Sequence, residues 1–72
     1  MINLYLDIKH FRLERNLTQK ELAKKIKISQ SYLSKLENNN KSKVLGLKLK
    51  TIRDLATVLS VKENKILILD KD

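Results

Sequence analysis

Seventy-two residues allow one domain, residues 1–72, whose single core is marginal at this size without a metal, disulfides or self-association. The absence of cysteine and the single histidine exclude a disulfide framework and an ordinary zinc site, and suit a reducing cytoplasm. Sixteen Lys and Arg against eight Asp and Glu give a net charge of +8, for which nucleic acid is the natural partner, although lysine is also a plain solvating residue in a composition this rich in Lys, Ile, Asn and Leu.

Two tyrosines, one phenylalanine and one glycine argue for helices over a β barrel with stacking platforms. Leu4, Ile8 and Phe11, with Leu13, recur at helical spacing and predict a first helix from about Leu4 to Arg15, ended by Asn16 as a left-handed cap. The start, MINLYLDIKHFR, is interrupted by Asp7 and Lys9 and has no apolar run of the signal-peptide kind. The longest such run, Ile66 to Leu69, is far too short to span a bilayer, so a cytoplasmic protein without a membrane partner is expected.

Two helix starts are then written close together. Thr18 with Glu21 makes a capping box, in which hydroxyl and carboxylate satisfy backbone N–H groups reciprocally, and Ser29 caps a second helix in the same manner. Leu22, Ala23 and Ile26 form an apolar stripe before the turn, and Leu33 and Leu36 repeat it afterwards. Only Lys27 and Ile28 separate the first helix from the second cap, too short a link for antiparallel stacking, and Ala23 is small enough for a close, steep crossing. The bland reading is an αα corner. Paired caps, Ala23, short polar residues on the outer face of the second helix and the basic charge together favour a DNA-binding helix-turn-helix. Downstream, Ile52, Leu55, Ala56 and Leu59 predict a helix from about Lys50 to Leu59, and a last one is predicted from Lys62 to Leu69, with Lys62 a poor cap.

Ile8, Lys9, Phe11, Arg12, Leu17-Thr18-Gln19, Glu21-Leu22-Ala23 and the run Ser29 to Asn38 lie in register with the lambda repressor and Cro family of helix-turn-helix domains, also called the XRE family, which the chain resembles over nearly its whole length. The resemblance implies an all-α, five-helix domain with the helix-turn-helix at about residues 18–37, formed by helices two and three. It also implies a third helix lying in the major groove and a two-fold dimer on a pseudo-palindromic site. The chain departs from the family where Lys27 replaces a glycine expected in left-handed backbone, at a cost of about 1 kcal/mol. Asn39 replaces a second glycine, and the connection from Glu37 to Thr51 is longer than usual and lacks the frequent proline.

By the same resemblance Arg12 and Glu37 pair in the interior, and Gln19 anchors a phosphate beside the N-terminus of its helix. Gln30, Ser31, Ser34 and Lys35 form the base-reading set, since a glutamine amide can pair with adenine and lysine with guanine or phosphate. Tyr32 is either a phosphate contact or a partly buried packing residue. Asn38, Asn39, Asn40, Lys41 and Lys43 follow the recognition helix and can clamp the DNA backbone, the alternative for the last three being a plain solvated loop. Lys20, Lys24, Lys25 and Lys27 add long-range attraction. Ile66, Leu67, Ile68 and Leu69 exceed what one side of a short helix buries, and are read as a homodimer interface, or else as the floor of the monomer core.

His10 has no ligand partner nearby, and the sequence offers no nucleophile-base set, phosphate loop or paired carboxylates. No enzyme activity, cofactor, metal or small-molecule ligand is therefore expected. Two readings remain: a sequence-specific transcriptional regulator, a repressor of phage, plasmid or mobile-element type, and an antitoxin or adaptor that sequesters a regulatory protein partner through the C-terminal apolar segment.

Overall fold

The two caps form as the local chemistry dictates, and they set the centre of the fold. The computed structural model describes residues 2–71, with eight elements: β1 (Ile2–Leu6), α1 (Lys9–Glu14), α2 (Gln19–Ile26), α3 (Gln30–Glu37), α4 (Lys41–Leu45), α5 (Leu49–Leu59), α6 (Glu63–Ile66) and β2 (Leu67–Lys71). Thr18 is extended; its hydroxyl accepts from the Glu21 N–H at 3.0 Å while its own N–H donates to the Glu21 carboxylate at 2.9 Å. Ser29 repeats the first half of this at α3, accepting from the Tyr32 N–H at 3.0 Å. Between them Lys27 adopts the left-handed conformation, φ 61°, and its N–H closes on the carbonyls of Ala23 and Lys24.

Thr18→Ala removes one acceptor from the first turn of α2 and is expected to cost about 1 kcal/mol. In a domain of this length that lowers the melting temperature by roughly 4–8 °C, which thermal denaturation checks. The Glu21 carboxyl is held below its ordinary value, chiefly by the Thr18 backbone N–H and then by the Thr18 hydroxyl, with Lys25 adding a smaller effect. A carboxyl depressed in the folded state stabilises fully above its unfolded value and loses that contribution as pH falls through the folded value. Thr18→Ala keeps the backbone N–H and loses only the hydroxyl's smaller share of that effect, so its deficit narrows in acid by that share alone.

The core gathers one face from almost every element. Leu22, Leu33, Leu36, Leu55, Leu59 and Ile66 are fully buried, with Ala23 in the α2–α3 crossing at 2% exposure. Asn16, Asn39 and Ser60, like Lys27, are left-handed, so each of the sharp exits from α1, α2, α3 and α5 is made by a non-glycine residue.

Three expectations are corrected. The predicted first helix, from Leu4 to Arg15, begins only at Lys9; Ile2–Leu6 is a strand, and Leu13 is 54% exposed. The predicted last helix shrinks to Glu63–Ile66 and continues as β2, antiparallel to β1 with Leu6 opposite Leu67 and Leu4 opposite Leu69. A short apolar run fits either period, and here the two chain ends complete each other's backbone hydrogen bonds while Leu6 drops into the core. The long connection after Glu37 contains a helix of its own, α4, capped by Asn40 and pinned by buried Val44. Among the described residues the domain is thus mostly helical, as expected, with six helices where five were implied and a small two-stranded ribbon besides.

Candidate nucleic-acid interface

On α3, Leu33 and Leu36 face the core, which turns the other side outward. Gln30 and Ser34, and Ser31 with Ser34 and Lys35, stand three or four residues apart and so share that outer face. Gln30, Ser31 and Lys35 are exposed and Ser34 half-buried, and none of their side chains hydrogen-bonds within the described residues. Four polar groups are therefore presented free on a helix whose opposite face is fixed.

What fixes it is a buried charge network. Arg12, 6% exposed, donates from Nε to Glu37 Oε2 at 2.7 Å and from Nη2 to Oε1 at 3.1 Å, a planar fork matched to a carboxylate. Its third nitrogen, Nη1, donates to the Leu17 carbonyl at 2.8 Å, and the Gln19 amide donates to Glu37 Oε1 at 3.1 Å. The set ties α1, the connection before α2, the first turn of α2 and the end of α3 to one another. Among the described residues no buried side-chain nitrogen or oxygen lacks a partner, so the charges are compensated where they lie.

The residues named as phosphate contacts separate on inspection. Asn38, Lys41 and Lys43 are exposed, following α3 through α4, which packs against it. Gln19 is half-buried and directed partly inward by its bond to Glu37. Asn40 accepts from the Lys43 N–H at 3.2 Å and from the Ser42 hydroxyl at 3.1 Å, which makes it the cap of α4. Asn39 is drawn away: its amide accepts from the Leu6 N–H and donates to the Leu6 carbonyl, so both polar atoms are taken by β1. Tyr32 is half-buried and packs on the core, the second of its two readings. Lys20, Lys24, Lys25 and Lys27 are all exposed.

Of the four residues read as a dimer interface, Ile66 is corrected: it is fully buried within its own chain and offers no surface. Leu67 and Ile68 are half-buried, and Leu69 is 63% exposed. Sequence reasoning missed the Asn39 clasp, for which no local signal exists because its partner strand lies near the other end of the chain. The α4 cap did leave one, Asn40 ahead of the apolar Val44. His10 is a surface residue, its ring nitrogens 3.6 Å from Asp7 and 3.3 Å from Glu14.

The sequence pattern of a helix-turn-helix family matches residues 8–66. The chain belongs to this family, in its XRE type. Among solved structures, a DNA complex of SinR, described as the master regulator for biofilm formation, is similar to this XRE-type domain at 30% identity and a TM-score of 0.68, over 79% of this chain and 86% of that one. The N-terminal DNA-binding domain of SinR from Bacillus subtilis gives the same identity and score over 79% and 78%. A comparison with curated proteins returns no match. Among the described residues of the XRE-type domain, no group of three or more His, Cys, Asp or Glu side chains is placed to hold a metal ion, and no helix is long and apolar enough to cross a membrane.

Proposed function

We propose that the chain is a sequence-specific DNA-binding transcriptional regulator of repressor type, which as a homodimer occupies a pseudo-palindromic operator in the cytoplasm and excludes polymerase. The observation that carries this reading is the free polar face of α3, held by a buried network on its other side. Gln30, at the helix start, reads adenine through its amide; Ser31, Ser34 and Lys35 read the neighbouring positions. Asn38, Lys41 and Lys43 fix the register on phosphates, helped by the N-terminus of α2 beside Gln19. Two copies on a two-fold axis set their α3 helices in successive major grooves, about 34 Å apart. Similarity to a SinR domain solved on DNA supports duplex as the partner.

Gln30→Ala is expected to cost about 1–3 kcal/mol on the cognate site and to relax preference at one base pair. Lys43→Ala is expected to weaken binding to all sequences alike and to reduce the salt slope by about 1. Fluorescence anisotropy on cognate and scrambled duplexes separates the two. An equal loss on both duplexes for Gln30→Ala removes it from the base-reading set.

A further inference from the structure

Asn38, Asn39 and Asn40 join α3 to α4, and the middle residue does two separate things. Its backbone ends α3. Left-handed at φ 56°, Asn39 donates its own N–H to the Leu36 carbonyl at 3.0 Å and brings the Asn40 N–H to the Lys35 carbonyl at 2.9 Å, so the turn satisfies two of the last helix carbonyls by backbone alone. A glycine would make the same turn. The Asn39 side chain is therefore surplus to it, and reaches 33 positions back along the chain: Oδ1 accepts from the Leu6 N–H, and Nδ2 donates to the Leu6 carbonyl at 3.2 Å.

The far end of this clasp is a fixed point. Leu6 closes β1 and is buried at 3% exposure, and a side-chain amide, carrying donor and acceptor together, satisfies both of its backbone groups at once. β1 lies outside residues 8–66, so the family pattern does not account for the contact. The near end is the start of α4, a helix of five residues capped by Asn40, too short to hold its place unaided. α4 packs against both α3 and β1, with Val44 buried and Lys41 and Lys43 exposed.

We infer that Asn39 is a positioning residue for DNA binding: through its clasp on Leu6 it fixes α4, and with it Lys41 and Lys43, relative to the outer face of α3. Asn39 touches no DNA itself. The clasp sets the two ammonium groups before the duplex arrives, and without it binding must also order α4, which weakens the complex. The inference rests on the DNA-binding reading above and assigns the part of the chain that prepares it for phosphates.

Asn39→Gly keeps the left-handed turn and deletes only the clasp, so the variant folds, which thermal denaturation checks. On a short mixed-sequence duplex its affinity is expected to fall at least about threefold, and its salt slope by about 1–2, up to one for each lysine no longer held at a phosphate. In a chain already carrying Lys41→Ala and Lys43→Ala, the same substitution is expected to change affinity by less than about twofold, since Asn39 acts through those side chains. A residue serving stability alone leaves the salt slope of the folded chain as it was. An unchanged slope in Asn39→Gly, or a full further loss in the chain without the two lysines, overturns the inference and leaves the DNA reading standing. Hydrogen exchange tests the clasp in the native chain: the Leu6 N–H is expected to exchange slowly, and to become fast in Asn39→Gly. Fast exchange in the native chain overturns the clasp. A native chain that binds no duplex even at low salt overturns the DNA reading, and the role of Asn39 with it.

Discussion

Glu37→Ala is expected to destabilise the domain by about 3–5 kcal/mol, because it leaves the Arg12 guanidinium charged, buried and without its fork partner. The Gln19 amide loses its acceptor at the same time, and the end of α3 loses its tie to α1. Small domains hold only about 5–15 kcal/mol in total, so the variant sits near the edge of folding at ambient temperature. Urea denaturation with an unchanged slope checks the size of the loss. A milder effect is expected when both partners go together, as in Arg12→Met with Glu37→Leu, since no charge is then stranded. A double-mutant cycle in which the two single losses simply add would contradict the network.

Ile66→Ala is expected to cost about 2–5 kcal/mol by opening a cavity beneath the ribbon. Ile66 is fully buried and ends the helix from which β2 departs, and its carbonyl receives the Asp7 N–H. The loss should be the same at every protein concentration, as befits a core residue. A destabilisation that fades on concentrating the protein would return Ile66 to a subunit interface.

The helix-turn-helix was legible because its determinants are local. Thr18, Glu21 and Ser29 meet backbone groups within three residues, and the stripes of Leu22, Ala23, Ile26, Leu33 and Leu36 follow one helical period. Left-handed Asn16 and Lys27 ended their helices where expected. Arg12 and Glu37 are far apart in sequence, and only the resemblance joined them. The ribbon was illegible for the opposite reason: each strand is five residues with an ambiguous period, and each becomes a strand only when the other chain end completes its hydrogen bonds. The misplacement of Ile66 followed directly, since an uninterrupted helix would have spread Ile66 to Leu69 around its surface. Asn39 shows the same limit in one residue. Its left-handed backbone was readable, but the Leu6 backbone that occupies its side chain was not.

The measurement that bears most directly on the function is selection of duplex from a random library, read by fluorescence anisotropy at two salt concentrations with the protein's mass determined alongside. An enriched inverted repeat, bound by two copies with affinity falling steeply as salt rises, is the expected result. Weak, salt-sensitive binding with no enriched sequence would contradict it, and would leave the exposed face of α3 as a scaffold surface that reads no bases.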